Sequence, residues 1–523
     1  MSLIAKFATV GGATMASRVL GFVREALIGA ALGAGPVADA FYAAFRFPNL
    51  FRRLFAEGAF NTAFIPLFAK ELEGDGLAGA RRFAEDVLSV LVVTLIGLSA
   101  LAMIFMPFLV GTVIAPKFAD TPDKFDLTVL MTRIMFPYLF CMSLTAMLSG
   151  VLNSMRKYFL AAFVPVLLNV ILIAGLLIAM NTGTDQRTTG LVLASCVFLS
   201  GFAQLGFLVW GVRREGLSMR LKRPQLTPGV KRLLVLMGPA MLTGGVMQIN
   251  LLVGQIIASA QDGAIALLNY ADRINQLPLG VIGIAIGVVL LPELSRALNA
   301  GDHADANHLQ NRSLEFALAL TLPAAVGFMT MPGPLVAILY ERGAFSPETT
   351  AMAAQALAGF AAGLPAAVLI KVFQPAFFAR ENMKSPLWFS LITVAVNIAG
   401  SLLFFPIYGH VAIAAATSAA VWVNFLLLAG TLWANGDFRP APASLRRIAI
   451  VIAASVLIGV AIRLMLGLAA PWLGGGTLPR LAAVLAIIAV AMVLYFAITL
   501  STGAIDRSQL MRLLRRRRKA TQA

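Results

Sequence analysis

The sequence predicts an all-α polytopic membrane protein of about fourteen transmembrane helices, and three observations carry that prediction. Hydrophobic residues make up 59% of the chain and charged residues only 12%, about half of what a soluble domain keeps. The mean hydropathy of +0.86 agrees with lipid as the solvent. Apolar runs long enough to cross a bilayer recur along the whole length, separated by charged or Pro/Gly breaks, and the basic residues gather in alternate breaks.

In order, the runs place helices at roughly 6–32, 36–69, 83–111, 127–154, 159–180, 188–212, 231–260, 264–296, 312–332, 348–379, 385–406, 410–434, 445–468 and 480–501. Span 1 follows Lys6 and a small-residue stretch; Arg18, Arg24 and Glu25 interrupt any signal-peptide core, so the N-terminus is expected to stay attached. Span 2 is the most polar, with Asp39, Tyr42, Arg46, Asn49, Arg53 and Glu57 at three- and four-residue steps on one stripe, which Pro48 kinks or breaks. Spans 3 to 7 are mainly apolar, and Cys141 and Cys196 lie within them as expected buried thiols. Span 8 places Asn269, Asp272, Arg273 and Gln276 on a common face. Spans 9 to 12 hold Lys371 as an internal cation, and spans 13 and 14 hold Arg463.

One set of alternate connections, from Lys70, Arg81 and Arg82 through the 213–232 loop to the tail, carries about 26 basic residues against 5 in the other. The lighter set holds Lys117, Lys124, Arg187, Arg342 and Arg480. The positive-inside rule therefore puts both termini in the cytoplasm and requires an even number of spans. Topology also accounts for the net charge of +17, so nucleic acid is not an expected partner. The tail from Leu510 to Lys519 interleaves basic and apolar residues and suits the anionic face of the membrane lipids.

Residues 46–75 and 273–302 read alike at a separation of roughly 226–230. Each has an arginine followed by a proline, then a Pro-containing apolar run that closes on Gly-Asp. The repeat divides the chain into two six-helix lobes in pseudo-two-fold arrangement, 1–228 with spans 1–6 and 229–440 with spans 7–12. An appended helix pair at 441–505 and a basic cytoplasmic tail at 506–523 complete it. Matching odd span to odd span sets the axis along the membrane normal.

Topology leaves Arg18, Arg24, Arg46, Arg52, Arg53, Arg133, Arg273, Lys371 and Arg463 inside spans, with Glu25, Asp39, Glu57 and Asp272 as the acids. Each costs about 2.5–3.5 kcal/mol at mid-bilayer unless it meets a partner or a wet cavity. Snorkelling or local pairing is the competing explanation, favoured for Arg133 and Arg463 and open to Arg53 with Glu57 at i,i+4. The concentration of cations in spans 1 and 2 argues instead for a cavity that takes an anion, above all phosphate, which guanidinium grips bidentately.

At these residues the chain resembles the MurJ (MviN) family of lipid II flippases, part of the multidrug/oligosaccharidyl-lipid/polysaccharide exporter superfamily. The resemblance rests on Ser17-Arg-Val-Leu-Gly-Phe-Val-Arg-Glu25, Gly33-Ala-Gly35, the run from Asp39 to Phe60, Tyr270-Ala-Asp-Arg273 and Leu290-Leu-Pro-Glu-Leu-Ser295. It implies a V of two lobes around a cationic cavity and an extra helix pair beside a lipid-tail groove. It also implies substrate-binding arginines at Arg18, Arg24, Arg52, Arg53 and Arg273, supported by Ser17, Asp39, Arg46, Asn49, Glu57 and Asp272. The implied substrate is lipid II, undecaprenyl pyrophosphate carrying a disaccharide-pentapeptide, moved from the cytoplasmic to the periplasmic leaflet of the inner membrane by alternating access. Another lipid-linked glycan or anionic amphiphile on the same fold is the alternative, and cell-wall synthesis proteins are further partners the resemblance allows.

An enzyme acting on lipid phosphates is expected to cluster carboxylates around Mg²⁺; Asp120, Asp123 and Asp126 are the only such group and read better as a solvated turn. A cation exporter wants an acidic surplus inside the membrane, the opposite of this balance. His303 and His308 are spaced poorly for a metal, and no Gly-x-x-x-x-Gly-Lys-[Ser/Thr] loop occurs, so no metal, cofactor or nucleotide hydrolysis is expected.

Overall fold

The computed structural model describes residues 3–53 and 60–504. Glu57 and the basic tail at 506–523 lie outside the described residues. Helices account for nearly all of the rest, and Cα packing separates them into two units.

The first unit comprises the residues up to Ala266 with Arg342–Ser346. It holds α1 (Leu3–Leu32), α2 (Pro36–Phe51), α3 (Asn61–Gly74), α4 (Gly76–Ile104), α5 (Met106–Leu109), α6 (Pro122–Met135), α7 (Tyr138–Ser154), α8 (Tyr158–Asn181), α9 (Gln186–Arg214) and α10 (Pro228–Ala258). Proline opens α2, α6 and α10, where its missing N–H costs nothing. Asp185 caps α9 by accepting from the N–H groups of Arg187 and Thr188. The core packs α3, α4, α7, α9 and α10 together, with Phe60, Phe64, Phe68 and Phe83 stacked at centroid spacings of 5.0–5.7 Å. The two thiols are free; Cys141 is buried, and half-buried Cys196 fills the space that Gly175 leaves on α8.

The second unit comprises Leu267–Glu341 and the residues from Pro347 onward. It holds α11 (Ala264–Asn299, past its first turn), α12 (His303–Thr330), α13 (Pro332–Tyr340), α14 (Pro347–Ala361), α15 (Leu364–Phe378), α16 (Lys384–Tyr408), α17 (His410–Ala434), α18 (Pro442–Leu468), α19 (Ala470–Leu473) and α20 (Thr477–Ser501). Its core joins α12, α15 and α17 around Phe373, Phe377, Leu428 and Phe438. The C-terminal pair packs on α12: Tyr495 donates to the Ala319 carbonyl at 2.6 Å, and Arg447 pairs with Glu315 at 3.0 Å.

A pattern of helix breaks and packings recurs in the two units. The expected span at 127–154 breaks at Phe136-Pro137 into α6 and α7, and the one at 348–379 breaks at Ala362-Gly363 into α14 and α15. The packings α8 on α9, α7 on α9, α6 on α9 and α4 on α7 recur as α16 on α17, α15 on α17, α14 on α17 and α12 on α15. Helices α7 and α15 even end alike, on the chain's two non-glycine residues of positive φ among those described, Arg156 at 60° and Glu381 at 59°. The N–H of the next residue reaches back five positions in both, Lys157 to Leu152 and Asn382 to Phe377, which satisfies a terminal carbonyl and offsets the strain. Helix α10, which the repeat pairs with α1, packs with α3 and α4 in the first unit.

Among the described residues, ten helical spans have the length and apolarity to cross a membrane. Helices α1, α10 and α11, of 30, 31 and 36 residues, are long enough as well. The helices holding Arg18, Arg24, Glu25, Asp39, Asp272 and Arg273 are not among those ten.

Candidate functional site

In the first unit, α1 presents Arg24 and Glu25 to α8 and α2. Arg24 is 6% exposed and points one guanidinium nitrogen at Asn169 on α8, at 3.0 Å, while another pairs with the Glu25 carboxylate. Tyr42 on α2 donates to the second oxygen of Glu25 at 2.7 Å. The Asn169 amide donates to the Ser17 carbonyl at 3.0 Å and to the Pro165 carbonyl at 3.1 Å. Its carboxamide lies beside Gly21, where an added Cβ would stand 3.7 Å away, so the seven-residue spacing from Ser17 to Arg24 closes around a residue of another helix. The Nε of Arg24 is buried without a hydrogen-bond partner. Asn169 is the residue that sequence reading missed: an amide in the apolar run of span 5 was its one signal.

Arg18 lies on the exposed face of the same helix. At the end of α2, Arg52 donates through Nε to Asn49 at 2.8 Å and is half-buried, while Arg53 is exposed and Arg46 half-buried. The six-residue polar stripe expected on span 2 does not face one way. Asp39 and Tyr42 turn into the protein, and Arg53 turns out.

Asp39 departs most from the expectation of a wet surface, being wholly buried. Its carboxylate accepts from Lys124 Nζ at 2.8 Å and from the N–H groups of Gly263 and Ala266 at 2.7 and 3.0 Å, at the first turn of α11. A carboxylate is favoured at a helix N-terminus, and three donors around it repay its lost hydration. Lys124, counted above as a loop cation, is 3% exposed in the first turn of α6. It also pairs with Asp262 at 2.8 Å and stands 4.0 Å from the centre of the Phe118 ring. Its neighbours Asp120, Asp123 and Asp126 are exposed.

In the second unit, Asp272 accepts from Gln276 one turn on, and both Asp272 and Arg273 are half-buried on α11. Tyr270 packs its ring 5.1 Å from that of Tyr340. Lys371 and Arg463 are exposed on their helices, and in the first unit Arg133 donates to the Met103 carbonyl at 3.1 Å. An apolar cavity of about 310 Å³ opens between α12, α18 and α20, walled by Pro323, Phe328, Ile458, Ile462 and Tyr495.

The family model described as lipid II flippase MurJ matches residues 28–501. The chain belongs to the lipid II flippase MurJ family. The match covers the long motif of span 2 and both units, and it begins just after Arg18 and Arg24. Full-length relatives include those stretches as well. The probable lipid II flippase MurJ of Rhizobium tropici is 50% identical over 522 residues, 99% of this chain and 98% of its own. That of Rhizobium meliloti is 52% identical over 518 residues, 99% and 97%. Among solved structures, a lipid II flippase MurJ in an inward closed conformation aligns with a TM-score of 0.75 at 24% identity, over 93% of this chain and 98% of that one. An inward-facing multidrug resistance MATE family transporter aligns at 0.61 and 17% identity, over 83% and 95%. Both structural likenesses speak to the fold, which among the described residues is built of helices.

Proposed function

We propose that this chain is a lipid II flippase that carries undecaprenyl pyrophosphate, with its disaccharide-pentapeptide, from the cytoplasmic to the periplasmic leaflet of the inner membrane by alternating access. The single observation that carries the reading is family membership over almost the whole length, with half-identical relatives that are themselves named probable lipid II flippases. Both termini face the cytoplasm in this reading, because the heavy set of basic connections flanks them.

The physical demands of such a substrate fit the residues. Pyrophosphate entering a medium of low dielectric needs cations with two parallel donors, and Arg18, Arg52, Arg53 and Arg273 are the candidates. Arg24 has much of its charge neutralised by Glu25, so it holds α1 to α8 and α2 as much as it attracts an anion. The apolar cavity beside α18 and α20 supports a path for the polyprenyl tail. A negative-inside potential then assists outward movement of the head group by about 2.3 kcal/mol per charge per 100 mV.

Lysine substitution separates a clamp from an anchor, since lysine keeps the charge and lacks the fork. Arg18→Lys, Arg24→Lys, Arg52→Lys and Arg273→Lys are each expected to leave expression intact and cut transport into the outer leaflet at least tenfold. Alanine should be worse at each site, and Arg463→Lys harmless. Normal transport by all four lysine variants, beside alanine variants that fail to accumulate, would return these residues to the role of membrane anchors.

A further inference from the structure

Within the first unit a second feature stands apart from the Arg24 network. Helices α1, α3, α7 and α8 line an open hollow of about 430 Å³, the size of pockets that hold small ligands or parts of larger ones. Arg52, Asn61, Thr145, Ser149, Asn153 and Tyr158 bring its polar atoms. Thr145 is 3% exposed, yet its hydroxyl has no hydrogen-bond partner, and Oδ1 of Asn61 in the same wall is likewise buried and unpaired. Unpaired buried polar atoms are a standing cost to a fold, and both belong to residues that line this one cavity. A second hollow of about 450 Å³ shares Val10 and Tyr158 with the first and carries Arg156, Lys157 and Arg214 among its lining residues. The inner hollow thus adjoins a basic one, with a guanidinium in its own wall.

Carboxamides and hydroxyls beside one arginine form the set that suits a sugar rich in hydroxyl and acetamido groups and attached to a phosphate. A bare pyrophosphate would call for more cations, and a polyprenyl chain for none of these groups. We propose that this hollow seats the sugar next to the pyrophosphate, with Thr145, Ser149, Asn61 and Asn153 bonding to the sugar and Arg52 to the phosphate. The proposal rests on the lipid II reading above.

The test compares the full-length protein in nanodiscs with its Thr145→Val and Asn153→Leu variants, using two probes: lipid II and undecaprenyl pyrophosphate without sugar. Valine matches threonine in shape, so removing a hydroxyl that bonds nothing in the fold leaves the melting temperature equal or higher. Each variant is expected to bind lipid II about three- to tenfold more weakly, the worth of one or two hydrogen bonds, and undecaprenyl pyrophosphate as the wild type does. Unchanged lipid II affinity in both variants, or an equal loss for both probes, would overturn the proposal. So would a lowered melting temperature of Thr145→Val, since the hydroxyl would then be serving the fold. Failure of the underlying reading looks different, because the wild-type protein would then bind neither probe.

Discussion

Replacing Lys124 by methionine removes one charge from a site where almost nothing else can supply it. Lys124 and Asp39 are 3% and 0% exposed and 2.8 Å apart, so Lys124→Met leaves a carboxylate out of water with only the amides of Gly263 and Ala266 to hold it. Breaking a buried pair from one side costs about 3–5 kcal/mol, where the stability of a typical domain is about 5–15 kcal/mol. The bond from Lys124 to Asp262 adds little, because the Asp262 side chain is 80% exposed and an exposed partner is worth about 0–1 kcal/mol. Asp262→Asn should therefore be close to neutral. Converting both buried partners, Lys124→Met with Asp39→Asn, should recover at least half of the loss, since asparagine still accepts from the α11 amides and methionine refills the lysine stem. The assay is a denaturant titration of purified protein in micelles, arranged as a double-mutant cycle with an expected coupling of about 2 kcal/mol or more. If Lys124→Met is no worse than Asp262→Asn, or the double variant is less stable than Lys124→Met alone, the buried-pair argument fails.

Two further outcomes are expected. In a cysteine-free background, a cysteine at Gln186 should react with an impermeant reagent on intact cells and one at Ser218 should not; the reverse would invert the orientation. The Asp185 carboxyl is held below its usual value of 3.8, chiefly by the Thr188 hydroxyl and also by the capped N–H groups, so its contribution is fully present above that value and lost as pH falls through the lowered one. Thermal melts of wild type and Asp185→Asn should then differ by a constant amount from pH 7 down to about 4 and converge below, with a gap that widens on acidification refuting the cap.

Spacing along the chain was enough to find most of the helices and their polar members, because hydropathy and three- or four-residue steps are local properties. It was enough for Ser17, Arg24 and Glu25 as a group on one helix, and for the motif that carries the family resemblance. Partners were another matter. Nothing near Asp39 in sequence announces Lys124 or the amides of Gly263 and Ala266, and Arg24 meets Asn169 only because α8 packs along α1. A charge in a helix states that it needs compensation, since burial is costly whatever surrounds it. Whether that compensation is a wet cavity, as the sequence led one to expect for Asp39, or a buried lysine and two helix-end amides depends on which helices lie side by side. Side-chain reach is a few ångströms and the partners are one or two hundred residues apart, so only tertiary packing could decide it.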